Sequence, residues 1–304
     1  MRVLVTGASG SLGSKACDAL LARGDEVAGL TRDPARAVKT NPTISWHEWD
    51  APRERPPVAA LEGVDAVVNL IGERINQRLS DAAKERIQAS RERATKNLVD
   101  GLAAMAAKPQ VFVSQSAVGY YGERGEAIVD ESTPAGSDFL AGVCVRWEAA
   151  AKPAADAGIR LVTVRTGHIL DPDGGLLKQL LLPFRLGVGG PLAGGRWYMP
   201  WIHRDDEVGL ILWALDTESV AGTFNSCAPN PVTNREFSKA LGKALHRPAV
   251  LPTPRLAAAA VLGGEMAEAA TTSIRAVPRR ALDAGHSFRF TEVEPALRDL
   301  LAGP

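Results

Sequence analysis

Val3-Leu4-Val5-Thr6-Gly7-Ala8-Ser9-Gly10-Ser11-Leu12-Gly13 opens the chain and decides its fold. Residues 3–6 form a short apolar run closed by a glycine, which reads as a strand buried on both faces. From residue 12 to 23 the pattern becomes helical, and Gly24 fits the left-handed residue that ends a helix. Between them lies a GxxGxxG turn. Such a turn uses one glycine for the bend, one to let a pyrophosphate reach backbone N–H groups, and one to pack helix against sheet. The helix N-terminus then faces the phosphate charge. Gly7, Ser9, Gly10, Ser11, Leu12 and Gly13 are therefore candidate dinucleotide-binding residues. A mononucleotide P-loop is excluded, because its lysine must follow the last glycine directly and Ser14 stands there.

Outward from this turn, strand patterns fall at residues 26–30, 43–49, 66–70, 111–114 and 161–166. One long helix is expected over residues 81–106, capped by Ser80, and another over residues 141–155. The alternation predicts an α/β fold, a Rossmann-type doubly wound parallel sheet, with a smaller, mostly helical C-terminal substrate domain. Residues 1–170 are expected to form the NADP(H)-binding unit, with residues 203–228 returning to its sheet. Residues 171–304 then form the substrate-binding part. A helix over residues 176–186 should kink or end at Pro183. The glycine-rich stretch 187–195 reads as a loop able to act as a lid. Asp205 or Asp206 is expected to cap a helix reaching residue 215, and capping boxes are read at Thr233 and Thr291.

The second strand ends in Thr31-Arg32. An acid here grips the ribose 2′-hydroxyl of NAD, whereas a cation receives the 2′-phosphate of NADP. The guanidinium fork suits a phosphate, so NADP(H) is preferred and NAD(H) stays possible. Arg32 also reads as a solvated loop charge beside Asp33. Asp50 either accepts a bond from the adenine amino group or caps a turn.

Composition limits the remaining classes. The 304 residues hold 35 Lys+Arg and 35 Asp+Glu, so no basic excess favours nucleic acid or an anionic membrane surface. At 45% hydrophobic and 23% charged the chain is neither disordered nor fibrous. Cys17, Cys144 and Cys227 lie far apart, which fits a reducing, cytoplasmic setting. No signal peptide is read at the N-terminus, and the alanine-rich run 256–262 is too short to span a bilayer. No metal is expected, since the five histidines form no i,i+4 pair and lie near no cysteine.

Several blocks together resemble the extended short-chain dehydrogenases/reductases. They are the glycine turn, Arg32, Asp50, Asn69-Leu70-Ile71-Gly72, Ser114-Gln115-Ser116-Ala117-Val118-Gly119-Tyr120-Tyr121-Gly122 and Trp201-Ile202-His203-Arg204-Asp205-Asp206. Pro134–Leu140, Pro183–Gly187, Ala228–Val232 and Gly264–Ala267 narrow the resemblance to the atypical epimerase-family branch, the NAD-dependent epimerase/dehydratase or SulA-related proteins, with their C-terminal segment. The resemblance implies a cofactor held also by Asn69, Leu70 and Gly72, and a small-molecule substrate. It further implies a possible homodimer through helices equivalent to residues 81–106 and 141–155. In that family the Tyr of a Tyr-x-x-x-Lys pair exchanges a proton with the substrate, the Lys charge lowering its pKa, while a Ser hydrogen-bonds the carbonyl or alcohol oxygen. Ser116 matches the Ser. Anchoring on Glu148 places Leu140 at the Tyr and Cys144 at the Lys, and no Tyr-x-x-x-Lys occurs in the chain.

Tyr120 and Tyr121 are the candidate substitute proton donors, with aromatic packing as their other reading. Cys144 reads as a nucleophile or a small core residue, and His203 as a structural or a substrate-facing group. Arg165 is either buried and paired or aimed at an anionic ligand. Two functions remain open: an NADP(H)-dependent oxidoreductase or epimerase-like protein with a non-standard site, or a catalytically silent NADPH-binding sensor.

Overall fold

The computed structural model describes residues 1–302. Seven strands, β1 (Arg2–Thr6), β2 (Glu26–Thr31), β3 (Ser45–Glu48), β4 (Ala66–Asn69), β5 (Val111–Ala117), β6 (Arg160–Thr166) and β7 (Gly222–Ser226), form one sheet. All its pairs are parallel, in the order β7-β6-β5-β4-β1-β2-β3. The chain winds outward from β1 through β2 to β3, then returns to place β4 on the other side of β1. A crevice opens above the strand ends at that reversal.

Period-2 alternation assigns the two faces. Val3, Val5, Val68, Val111 and Val113 pack under helices α1 (Ser11–Ala22) and α6 (Arg204–Asp216). Leu4, Val67 and Phe112 pack on the opposite face, under α3 (Glu92–Ala104). A second core joins α5 (Gly175–Arg185), α7 (Asn234–Ala244) and α8 (Val293–Leu301) around Trp201, Phe184 and Phe237. Among the described residues no helix is long and apolar enough to cross a membrane.

Four local expectations are corrected. The helix expected over residues 81–106 is two, α2 (Asp81–Ala89), capped by Ser80, and α3. At the break, Ser90 Oγ donates to the Ile87 carbonyl (3.0 Å) and accepts the Glu73 N–H (2.9 Å), competing with the helical ladder. The cap of α6 is His203, whose Nδ1 accepts the Asp205 N–H at 3.1 Å. Asp206 instead accepts the N–H groups of Arg289 (2.7 Å) and Phe290 (2.9 Å). Thr233 forms its capping box, but α8 starts after Glu292 with no side-chain cap, because that carboxylate accepts from Asn230. The loop 187–195 is laced down rather than free. Leu192 N–H donates to Asn234, Ala193 N–H to the Thr253 carbonyl, and Arg235 N–H to the Gly195 carbonyl. Pro183 lies inside α5, which ends two residues later.

Under the crevice, Glu207 is fully buried and accepts hydroxyl bonds from Thr166 (2.8 Å) and Ser226 (2.6 Å). Burial outweighs these bonds and lifts its carboxyl from 4.5 to about 7. The native state therefore keeps a proton that the unfolded chain releases, and stability falls as pH rises from about 4.5 through 7. Glu207→Gln, which can keep both hydrogen bonds, should gain stability relative to the parent between pH 5 and pH 8. Urea unfolding midpoints at the two pH values check this; an unchanged difference would contradict a buried neutral carboxyl.

Candidate functional site

The glycine turn is built by close approach. Gly7 has φ +65°, and a Cβ there would come within 2.8 Å of the Leu70 carbonyl oxygen. A Cβ on Gly13 would lie 2.1 Å from the Gly7 oxygen, so α1 can enter at this height only without a side chain. Gly10 N–H donates to the Gly7 carbonyl at 2.8 Å. Gly10 is the N-cap and offers no side chain, so the N–H groups of Ser11, Leu12 and Gly13 meet no protein acceptor among the described residues. This leaves a helix start that matches an anion. Ser9 and Ser11 are exposed, and the Leu12 side chain packs on the core.

Asp171 is a neighbour that sequence reasoning missed. It accepts the Ser11 hydroxyl, and its Oδ1 lies 3.0 Å from Arg204 Nη1. Burial works against its charge, but Ser11, the Asp173 N–H and Arg204 hold the carboxyl below its usual range.

At the end of β2, Thr31 Oγ1 accepts the Asp33 N–H (3.3 Å). Asp33 in turn accepts the Arg36 N–H (3.0 Å) and caps the short helix Pro34–Thr40. Arg32 is exposed, and no carboxylate pairs with it among the described residues. Asp50, just past β3, takes Arg53 at 3.1 Å. The Asn69 side chain is turned inward, accepting from Thr6 (2.7 Å) and donating to Thr95 (2.9 Å). It ties β1, β4 and α3 together and leaves Leu70 and Gly72 as the parts of that block beside the turn.

At the end of β5 the structure assembles a buried chain of polar groups. Ser116, 2% exposed, donates to Glu148 Oε1 at 2.7 Å from helix α4 (Phe139–Ala151). Arg165 on β6 grips both oxygens of Glu148, at 2.8 and 2.9 Å. It also donates to Tyr121 Oη at 3.1 Å, and Tyr121 donates to Asn225 at 2.6 Å. Arg165 is thus buried and paired, the first of its two sequence readings. Tyr121 has no exposure, and burial pushes its phenol up beyond what Arg165 and Asn225 pull down. It is a poor proton donor. Tyr120 is partly buried, with the Arg165 guanidinium 3.4 Å from its ring centre. Its hydroxyl has no protein partner among the described residues. Cys144 is buried, and burial together with Glu148 pushes its thiol up to about 12, so it carries no charge near neutrality.

His203 is wholly buried and stacked on Phe290, as a structural group. Its ring and the carboxylates of Asp205 and Asp299 put three possible ligand atoms within 4.8 Å of one another, but Arg289 already lies 3.6 and 3.3 Å from those acids.

A glycine-turned α1 start, a cation after β2 and a polar cluster at the end of β5 define a short-chain dehydrogenase/reductase-type protein. Residues 3–227 match the model of the NAD dependent epimerase/dehydratase family, and residues 253–300 match a domain of unknown function, DUF1731. The chain belongs to that epimerase/dehydratase family. It is 38% identical to the epimerase family protein SDR39U1 of Bos taurus, over 99% of this chain and 100% of that one. The chloroplastic SDR39U1 homolog of Arabidopsis thaliana is also 38% identical, over 99% and 87% of the two chains. The crystal structure of human SDR39U1 (isoform2) with NADPH superposes with a TM-score of 0.91, at 34% identity and full coverage of both chains.

Removing one partner of a buried ion pair costs about 3–5 kcal/mol. Arg165→Met should therefore destabilise strongly, and adding Glu148→Leu should recover part of the loss. Urea unfolding of both variants measures this; a loss under about 1 kcal/mol for Arg165→Met would show that the pair holds nothing.

Proposed function

We propose that this chain binds NADP(H) and exchanges a hydride with an unidentified small molecule, without the Tyr-x-x-x-Lys pair. The observation that carries this reading is the uncapped start of α1 under Gly7, Gly10 and Gly13, with the unpaired Arg32 at the next strand end. The residues fit the cofactor: three free N–H groups for a diphosphate and one guanidinium for a 2′-phosphate. Gly7, Ser9, Gly10, Ser11, Leu12 and Gly13 would hold the diphosphate, Thr31 and Arg32 the 2′-phosphate, and Asp50 the adenine side. Leu70 and Gly72 would floor the crevice. When bound, the nicotinamide supplies or accepts the hydride. The NADPH in the human SDR39U1 structure supports this choice of cofactor.

On the protein side, Tyr120 Oη is the group free to give or take a proton at the end of β5. Arg165 lies against its ring, and Glu148 holds the hydroxyl of Ser116, the group that would polarise the substrate oxygen. A second reading, binding without turnover, is favoured by one observation: a leucine and a neutral buried thiol fill the two positions that do proton chemistry in the resembling family.

Calorimetric titration should give tighter binding of NADPH than NADH, and Arg32→Ala should weaken NADPH by about tenfold or more while leaving NADH nearly unchanged. Equal binding of both cofactors would remove the role of Arg32. NADPH oxidation across a carbonyl panel then separates the two readings, with loss of turnover in Tyr120→Phe as the outcome expected of an enzyme.

A further inference from the structure

The break between α2 and α3 has a product, the placement of Arg91. This residue, the N-cap of α3, carries its guanidinium over Gly72. A Cβ on Gly72 would come within 3.0 Å of Arg91 Cζ and Nη2 and 3.4 Å of Nε. The absent side chain at 72 is therefore the space the cation occupies. The Trp147 ring centre lies 5.1 Å from Cζ and supports it from α4. Only Nη1 has protein acceptors, the Ile87 carbonyl at 3.2 Å and Ser90 Oγ at 3.4 Å. Nη2 and Nε have none among the described residues.

The surrounding acids are engaged elsewhere. Glu73 lies 3.6 Å from Arg86, and Glu92 lies 3.6 Å from Arg146 and accepts from Gln88 at 2.7 Å. No carboxylate lies within ion-pair distance of Arg91 among the described residues. Burial pushes its pKa down, and only Cys144 and Glu73 act in the other direction. A half-buried guanidinium without a counter-ion, whose planar fork keeps a free edge, is shaped for two oxygens of an anion. Its surroundings say where that anion lies. Gly72 continues the segment whose Leu70 carbonyl crowds Gly7 of the phosphate turn. Cys144 holds the place where the Tyr-x-x-x-Lys device carries its own cation.

We infer that Arg91 is a second ligand-binding cation of this crevice, replacing the absent lysine and gripping a phosphate- or carboxylate-type group with its Nη2–Nε edge. The inference rests on the NADP(H) reading. The anion has two possible sources, the cofactor diphosphate or an acid group on the substrate. A carboxylate or phosphate ester is accordingly the substrate class expected if the cofactor does not supply it.

Calorimetry on the full chain distinguishes the sources, using the parent, Arg91→Met and Arg91→Lys. Methionine keeps an apolar stem on Trp147; lysine keeps the charge if the first variant folds poorly, and melting curves confirm both. If the diphosphate is the partner, Arg91→Met weakens NADPH at least tenfold while 2′,5′-ADP, which lacks the diphosphate, changes less than twofold. If the substrate supplies the anion, NADPH affinity is unchanged, while millimolar oxalate binds the parent–NADPH complex and is lost from Arg91→Met. In either case Arg91→Lys falls between. Unchanged binding of NADPH and of oxalate in both variants would overturn the inference. If the parent binds no NADPH, the preceding reading fails, and oxalate binding to the free chain still decides the role of Arg91.

Discussion

The contact on which the rest depends is the approach of α1 to the Gly7 carbonyl. No side chain fits between Gly13 and that oxygen, so the helix starts directly above the end of β1 with its first N–H groups free. The same closeness lets Leu70 pass over Gly7 and brings β4 to the other side of β1, which opens the crevice at the reversal of strand order. The cradle is therefore a by-product of tight packing.

Around the crevice, charge is distributed by burial. The interior ion pair of Glu148 and Arg165 absorbs the polar groups that point inward from β5 and β6, Ser116 and Tyr121 among them. Arg32 at the end of β2 and Arg91 above Gly72 are among the cations without a carboxylate partner among the described residues. A site with free cations and few free acids is organised to hold anionic ligands. It is poorly equipped to move protons, and Tyr120 is the one phenol at the end of β5 left uncommitted.

The sheet and the turn were legible in the sequence because both rest on local signals, the period-2 apolar runs and the glycine spacing. The loss of the Tyr and Lys was also legible, since it is a matter of residue identity. What escaped were contacts between distant segments. Ser90 looks like an ordinary helix residue until Glu73 donates to it from the chain after β4, and Arg91 is invisible without that break. Asp171 reaches Ser11 across 160 positions. His203 displaced the aspartates as cap because Asp206 was needed by residues 289 and 290, which no local pattern reveals. The glycines of 187–195 read as freedom, yet Gly190 serves close packing against Leu251, Gly189 against Phe184 and Gly195 against Arg235.

The most direct test of this account is amide hydrogen exchange with and without NADPH, resolved to single residues over the first strand–helix turn. The account predicts that the Ser11, Leu12 and Gly13 amides, which have no protein acceptor, exchange rapidly in the free chain and become strongly protected by the cofactor. Unchanged exchange at these three amides under saturating NADPH would contradict the cradle and every assignment built upon it.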